Sequence, residues 1–288
     1  MTTQHAAGEA AGRVWLITGA SSGFGRTLTE AALAAGDTVV AAARRTQALD
    51  ALAAEHPERL VPLAVDVSDV ARAEAAVAEV VDRFGRIDVL VNNAGRGLIG
   101  AVEETSDAEL RDLMDLHFFG PAALTRAVLP HMRARKSGAV VQMSSMGGRL
   151  SFPGVGAYSA TKFALEGLTE ALAGEVAAFG IKALIVEPGA FRTGFAGGAA
   201  LQQTATELAA YADTVGGVRR GLPDSDGKQP GDPVKAAAAI LAALDAEQTP
   251  LRLALGNDAL DAILSHADAA RAEALTWEST SRGTDFDA

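Results

Sequence analysis

Tyr158 and Lys162 are a pair whose residue types and spacing suit proton transfer. They are four residues apart in a stretch that predicts a helix, so both side chains lie on one helix face. A free phenol has a pKa of about 10 and is a poor base at neutral pH, but a nearby ammonium stabilises the phenolate and lowers that pKa. Ser145 precedes Tyr158 by thirteen residues, at the end of a predicted strand. The three residues together predict general acid–base catalysis.

A glycine-rich loop opens the first predicted helix. Its glycines allow a tight turn and a close approach to a pyrophosphate, while the helix N-terminus offers free N–H groups and a positive dipole end. Because the loop joins the first strand to the first helix, it predicts a dinucleotide site. The residues expected to bind the cofactor here are Thr18, Gly19, Ser21, Ser22, Gly23, Phe24 and Gly25.

The elements that must position these residues alternate along the chain. Short apolar runs predict strands at residues 13–18, 38–43, 60–65, 87–92, 139–144, 181–187 and 251–255. Helical spacing predicts helices at residues 23–35, 47–55, 69–84, 107–133, 157–179, 232–246 and 258–277. This alternation is typical of a doubly wound parallel sheet of about seven strands with helices on both faces, a Rossmann-like α/β fold.

The remaining segments complete the predicted organisation. Residues 1–12 are small and polar and predict a flexible leader, and residues 13–288 predict a single catalytic domain. Residues 190–231 are rich in glycine and proline, which indicates a lid over the substrate. Residues 258–277 predict a C-terminal helical segment.

The composition excludes several classes of protein. A formal net charge of −11 over 288 residues disfavours binding to nucleic acid or to anionic membranes. There is no cysteine, and the histidines lack ligand spacing, so no metal site is expected. No signal peptide or membrane span is visible. We therefore expect a cytoplasmic protein.

Four motifs occur in the order and spacing of one enzyme family. TGxxxGxG spans Thr18–Gly25, NNAG spans Asn92–Gly95, YxxxK spans Tyr158–Lys162 and PGxxxT spans Pro188–Thr193. Over about residues 13–195 the chain therefore resembles the short-chain dehydrogenase/reductase family. The resemblance implies an oxidoreductase that moves a hydride between a nicotinamide cofactor and a carbonyl or secondary alcohol. We also expect a homo-oligomer, a dimer or a tetramer.

The resemblance also implies roles for individual residues. Ser145 would hydrogen-bond the carbonyl oxygen of the substrate, and Tyr158 would give that oxygen a proton during reduction or remove one during oxidation. Lys162 would bind the nicotinamide ribose and depress the pKa of Tyr158. Tyr158 and Lys162 are thus cofactor contacts too, and the others implied are Asp66, Val67, Asn93, Ala94, Gly95, Pro188, Gly189 and Thr193.

The type of cofactor depends on the end of the second strand. In dinucleotide folds an acid about 20 residues after the glycines binds the ribose 2′-hydroxyl, whereas an arginine accommodates a 2′-phosphate. Here Ala43 is followed by Arg44 and Arg45, which favours NADP(H) over NAD(H). The alternative is a solvated basic pair. Asp66 has an alternative as a helix cap, a role that Ser68 or Asp69 would also serve.

His117 departs from the family pattern. The family usually has an asparagine here, in an Asn-x-x-Gly context, and uses mainly its backbone carbonyl in a proton relay. One hypothesis is that His117, with an ordinary pKa of about 6.5, joins the relay and titrates near neutrality. The alternative is a histidine that packs in the helix without chemistry.

Substrate contacts are expected from Leu98, the segment 151–155 and the lid, with Arg96 at the mouth. The lid residues singled out are Phe191, Phe195, Leu201 and Tyr211. A non-catalytic NAD(P)-sensing protein on the same fold is the alternative from another class. An epimerase or dehydratase is a further alternative, although relatives of that kind usually carry TGxxGxxG.

Overall fold

A computed structural model describes residues 12–198 and 200–286, so residues 1–11 of the predicted leader lie outside the described residues. The described residues form nine strands: Val14–Thr18 (β1), Thr38–Ala43 (β2), Leu60–Ala64 (β3), Val89–Asn92 (β4), Gly97–Ile99 (β5), Gly138–Met143 (β6), Ile181–Pro188 (β7), Leu201–Gln203 (β8) and Arg252–Leu255 (β9). Seven of them form one parallel sheet in the order β3-β2-β1-β4-β6-β7-β9. The predicted doubly wound α/β fold is confirmed.

Helices cover both faces of this sheet. They are Gly23–Ala34 (α1), Asp50–Glu55 (α2), Val70–Phe84 (α3), Asp107–Met114 (α4), Gly120–Arg135 (α5), Gly156–Val176 (α6), Gly216–Asp224 (α7), Pro233–Asp245 (α8), Asn257–Thr276 (α9) and Glu278–Arg282 (α10). Successive strand residues point to opposite faces, so Trp15 belongs to the core under α1 and α8, and Leu16 to the core under α3, α5 and α6. Because both faces are buried, the strands are continuous apolar runs. None of the described helices is long and apolar enough to cross a membrane.

The single helix predicted at residues 107–133 is interrupted. A π-helical turn at Asp115–Phe119 separates α4 from α5. Gly120 follows this turn, and a Cβ on it would lie 2.3 Å from the carbonyl oxygen of Val67. The wider turn places His117 inside the protein, where it is 1% exposed.

The segment 190–231, predicted as a lid, leaves the sheet and returns to its starting point. Phe191 pairs with Gly231 in a parallel bridge at its base, while β8 pairs with β5 in a separate two-stranded sheet. The buried Arg219 of α7 donates to Glu104 at 2.5 Å, and Glu104 also accepts the backbone N–H of Leu208 at 2.7 Å. The segment therefore has its own short elements and a buried ionic anchor.

The sheet order fixes where a ligand can bind. The chain moves outward from β1 to β3 and then crosses back to β4 on the other side of β1. In open α/β sheets, ligands bind at the carboxyl ends of the strands on either side of such a reversal. The glycine loop follows β1, and the NNAG motif begins at the end of β4. The topology thus brings the two motifs to one crevice.

Candidate active site

The glycine loop forms a backbone cradle at the start of α1. Gly19 and Gly23 have φ of +63° and +53°, the left-handed region that other residues rarely adopt. A Cβ on Gly25 would lie 2.4 Å from the carbonyl oxygen of Gly19, so only glycine lets α1 pack so closely on the loop. Ser22 is the N-cap residue, and its side chain makes no capping hydrogen bond. The first N–H groups of α1 fit a pyrophosphate by chemistry and by space.

Thr18 and Asn93 brace this cradle from behind. Asn93 donates its side-chain amide to the carbonyl oxygen of Thr18 at 2.8 Å, and the Thr18 hydroxyl accepts the N–H groups of Asn93 and Ala94 at 2.9 and 3.1 Å. A Cβ on Gly19 would lie 2.8 Å from Asn93 Nδ2. These two predicted cofactor residues therefore fix the shape of the loop through each other.

The PGxxxT motif reaches the same cradle from β7. Pro188 ends that strand, and the next residue, Gly189, donates its N–H to Leu255 at 2.9 Å. Thr193 lies against the glycine loop, since a Cβ on Gly23 would be 3.2 Å from the Thr193 carbonyl oxygen.

Arg44 and Asp66 follow the neighbouring strands β2 and β3. Burial raises the pKa of Asp66, but hydrogen bonds from Ser68 and the charges of Arg44 and Arg96 outweigh it and hold that pKa below its usual value. Asp66 is not the helix cap, because Asp69 caps α3 by accepting the N–H of Arg72 at 3.0 Å. Arg44 is exposed and makes no hydrogen bond or ion pair within the described parts of the chain.

Val67 and Gly95 complete the predicted cofactor set on this side. Val67 is buried and its carbonyl oxygen faces Gly120. Gly95 is exposed, and a Cβ on it would lie 3.1 Å from His117 Nε2. The predicted cofactor residues therefore surround one crevice, from the end of β2 to the end of β7.

Ser145, Tyr158 and Lys162 come together beside this crevice. Ser145 follows β6, and its hydroxyl accepts the N–H of Gly147 at 3.0 Å. Lys162 is buried and donates to the carbonyl oxygen of Met143 at 2.8 Å, with its Nζ 5.7 Å from the centre of the Tyr158 ring. The i, i+4 spacing on α6 thus gives the predicted common face.

The expectation that Lys162 lowers the pKa of Tyr158 is wrong for this structure. Burial raises the pKa of Tyr158 to about 12, and the interaction with the Ser145 hydroxyl opposes this only in part. Burial also lowers the pKa of Lys162 to about 8, while the charge of Glu166 opposes that change. Desolvation disfavours the charged form of each group, and it is the largest effect on both pKa values. At neutral pH Tyr158 therefore holds its proton.

His117 does not titrate near neutrality, so that part of the relay hypothesis is wrong. Burial and the charges of Lys162 and Arg96 lower its pKa well below the usual value. Its Nε2 accepts the backbone N–H of Arg96 at 3.1 Å, so the neutral ring carries its proton on Nδ1, 2.8 Å from the Thr161 hydroxyl. Thr161 in turn donates to the Tyr158 carbonyl oxygen at 2.7 Å. Both ring nitrogens are used in holding the backbone around the site.

The residues expected to contact substrate divide into two groups. Phe195 lies beside the site, with its ring centre 5.9 Å from that of Tyr158, and Leu201 lies in an apolar cluster with Ile99, Ala101 and Val215. Phe191 packs on Phe24, with ring centres 5.1 Å apart, and the Tyr211 hydroxyl donates to Glu103. Arg96 pairs with Asp112, and its charge still acts on His117 and Asp66.

Glu166 was missed by the sequence reasoning. It is 3% exposed and accepts a hydrogen bond from Ser144 at 2.6 Å. Its position four residues after Lys162 was a usable signal, because Tyr158, Lys162 and Glu166 follow one helix face.

Among the described residues, no group of three histidine, aspartate or glutamate side chains could hold a metal ion.

Comparison with known proteins gives consistent matches. The family model described as short chain dehydrogenase matches residues 13–204. Oxidoreductase BOA17 of Botryotinia fuckeliana is 38% identical over 270 residues, which cover 93% of this chain and 98% of that protein. The crystal structure of a short-chain dehydrogenase from Streptomyces avermitilis has 60% identity and a TM-score of 0.90, covering 95% of this chain and all of that one.

Two further solved structures contain cofactors. A short-chain dehydrogenase/reductase from Burkholderia phymatum in complex with NAD has 25% identity and a TM-score of 0.78, and covers 88% of this chain and 92% of that one. A short-chain dehydrogenase from Burkholderia cenocepacia in complex with NADP has 26% identity and a TM-score of 0.72, and the match covers 93% of this chain and 98% of that one. Proteins similar to this chain therefore bind either nicotinamide dinucleotide.

Proposed function

The chain belongs to the short-chain dehydrogenase family, and we propose that it moves a hydride between NADP(H) and a carbonyl or secondary alcohol substrate. As a member of that family it is an NAD(P)-dependent oxidoreductase. The observation that carries the proposal is the meeting of Ser145, Tyr158 and Lys162 beside the glycine cradle. A non-catalytic sensor needs the cradle but has no use for this trio.

The side chains of the site supply proton transfer and orientation. The bound nicotinamide dinucleotide supplies or accepts the hydride. Ser145 orients the substrate oxygen by hydrogen bonding, and Tyr158, whose pKa of about 12 keeps it protonated at neutral pH, donates its proton to that oxygen during reduction. Lys162 holds the ribose hydroxyls from the next turn of α6.

The preference for NADP(H) is supported by charge at the end of β2. Arg44 is exposed and makes no hydrogen bond or ion pair in the described part of the chain, and no acidic residue follows β2 directly. A guanidinium in this position binds a 2′-phosphate with two parallel hydrogen bonds. The neighbouring Asp66 is already held by Ser68, which leaves Arg44 for the phosphate.

The substrate side favours an apolar molecule. Phe195 and Leu201 reach toward Tyr158 and Gly97 from the segment 190–231, which acts as a lid in this proposal.

The proposed assembly is a homo-oligomer, supported by the exposed rings of Phe119 and Phe163 on adjacent elements.

A panel of ketones and aldehydes with NADPH tests the proposal. We expect NADPH consumption by the wild type and a loss of about 10²- to 10⁴-fold in Tyr158→Phe, which removes the proton donor. Tyr211→Phe is the matched control, since Tyr211 is the second of two tyrosines and its hydroxyl binds Glu103. If Tyr158→Phe consumed NADPH as fast as the wild type does, the proposed mechanism would be contradicted.

A further inference from the structure

Helix α6 holds the end of β6 at two consecutive residues. Lys162 donates to the carbonyl oxygen of Met143 at 2.8 Å, and Ser144 donates its hydroxyl to Glu166 at 2.6 Å. Ser145 is the next residue along the chain. The residues that hold the serine in place thus come from the same helix that carries Tyr158.

The turn after Ser145 wraps around the Glu166 carboxylate. A Cβ on Gly148 would lie only 2.2 Å from Glu166 Oε1, so the turn approaches closely because this position is glycine. The same turn supplies the Gly147 N–H that binds the Ser145 hydroxyl. Glu166 therefore sets the path of the backbone that carries Ser145.

Glu166 also belongs to a cluster of charges behind the site. Arg252 Nε lies 3.3 Å from Glu166 and 3.4 Å from the buried Glu187, and its other arm binds the exposed Glu170 at 2.7 Å. Burial and the facing Glu187 raise the pKa of Glu166, whereas Ser144 and Arg252 oppose the change. The charged and titratable groups that face Glu166 and Lys162 are Tyr158, Glu170, His117, Glu187, Arg149 and Arg252.

The charges in this cluster balance only when Lys162 is included. Glu166, Glu170 and Glu187 face Arg149, Arg252 and Lys162. Without the Glu166 charge, Glu170 and Glu187 only balance Arg149 and Arg252, so the desolvated ammonium loses the net negative charge that faces it. Desolvation and the loss of that charge both favour the neutral amine.

We propose that Glu166 is a positioning residue that fixes Ser145 through Ser144 and the turn at Gly148, and that its negative charge stabilises the Lys162 ammonium one helical turn away. The proposal rests on the proposed function, which assigns the substrate oxygen to Ser145 and the cofactor ribose to Lys162. Glu166 itself touches neither ligand.

The test compares Glu166→Gln with Glu170→Gln. Both variants lose one carboxylate that binds Arg252 from α6, but Glu170 is exposed and Glu166 is buried. The measurement is the dissociation constant of NADPH, followed by its fluorescence across pH in the absence of substrate. We expect the pH at which NADPH binding weakens to fall by about one unit in Glu166→Gln and to stay at the wild-type value in Glu170→Gln.

Thermal unfolding of both variants shows whether they still fold. If Glu166 had only a structural role, its replacement would not move the pH at which NADPH binding weakens. Identical pH curves for Glu166→Gln and the wild type overturn the proposal, as does an equal shift in Glu170→Gln. If the wild type binds NADPH but reduces no carbonyl, the proposed function fails, while the pH curves still decide the role of Glu166.

Discussion

Burial acts in opposite directions on the two ionisable groups of the α6 face. It raises the pKa of Tyr158 to about 12 and lowers the pKa of Lys162 to about 8. The phenol therefore keeps its proton at neutral pH, and the ammonium is close to losing one. In the proposed reduction the phenol is therefore present in the protonated form that a proton donor requires.

At the residue scale, Arg44→Ala tests the proposed preference for NADPH. In Arg44→Ala we expect NADPH affinity to fall by about 10- to 100-fold, because a charge-assisted hydrogen-bonded pair is lost. NADH has no 2′-phosphate, so its affinity changes by about twofold or less. Fluorescence titration with both dinucleotides measures the difference, and equal losses for NADH and NADPH would refute the preference.

His117→Asn tests the neutral state of the buried histidine. In the unfolded chain the ring binds a proton at pH values below about 6.5, while the folded protein keeps it neutral. The unfolded state thus binds more protons, and the wild type loses about 1.4 kcal/mol of unfolding free energy for each pH unit below 6.5 through this residue.

Denaturant unfolding at several pH values should show that this loss disappears in His117→Asn and persists in a variant of the exposed His266. The pH profile of kcat/KM between about pH 6 and 8 should keep its wild-type shape in His117→Asn. A profile that loses a limb near pH 6.5 would restore the relay hypothesis.

At the element scale, the sequence predicted the sheet well and the π turn not at all. Apolar runs such as Val14–Thr18 identify buried strands because both faces of the sheet are covered. The segment Asp115–Phe119 keeps the apolar spacing of a helix, so its wider turn was invisible. What fixes it is tertiary: Gly120 packs on Val67, and His117 binds Arg96 and Thr161.

The segment 190–231 also contains a feature that the sequence could not predict, because tertiary contacts fix it. Its glycines and prolines predicted an irregular excursion, but the buried pair of Glu104 and Arg219 joins residues 115 positions apart. Such a pairing has no local signal in the sequence. The segment is consequently better anchored around β8 and α7 than its composition suggested.

Arg219→Met tests that anchor. It leaves Glu104 buried without its cation, which is strongly destabilising, so we expect the melting temperature to fall by several degrees and hydrogen exchange to accelerate in residues 201–224. Arg220→Met is the matched control, because Arg220 is the exposed neighbour on the same helix. Exchange rates that are equal in the two variants would show that the pair is not an anchor.

At the scale of the whole molecule, the order of the strands makes a single crevice out of distant motifs. The glycine loop, the NNAG motif and the β7 motif come from residues up to 175 positions apart, from Thr18 to Thr193, and they meet because each follows a strand of one parallel sheet. The motifs were readable from the sequence for this reason. The pKa shifts were not, since they depend on the burial of Tyr158 and Lys162, which the spacing of residues along α6 does not reveal.

The central claim is that the chain transfers a hydride from NADPH to a carbonyl carbon with Tyr158 as proton donor. The most direct measurement uses NADPH deuterated at the transferable position and mass spectrometry of the product. We predict that the wild type and Tyr211→Phe form an alcohol with one deuterium on the former carbonyl carbon, and that Tyr158→Phe forms almost none. An alcohol without deuterium, or labelled alcohol at the wild-type rate from Tyr158→Phe, would contradict the account.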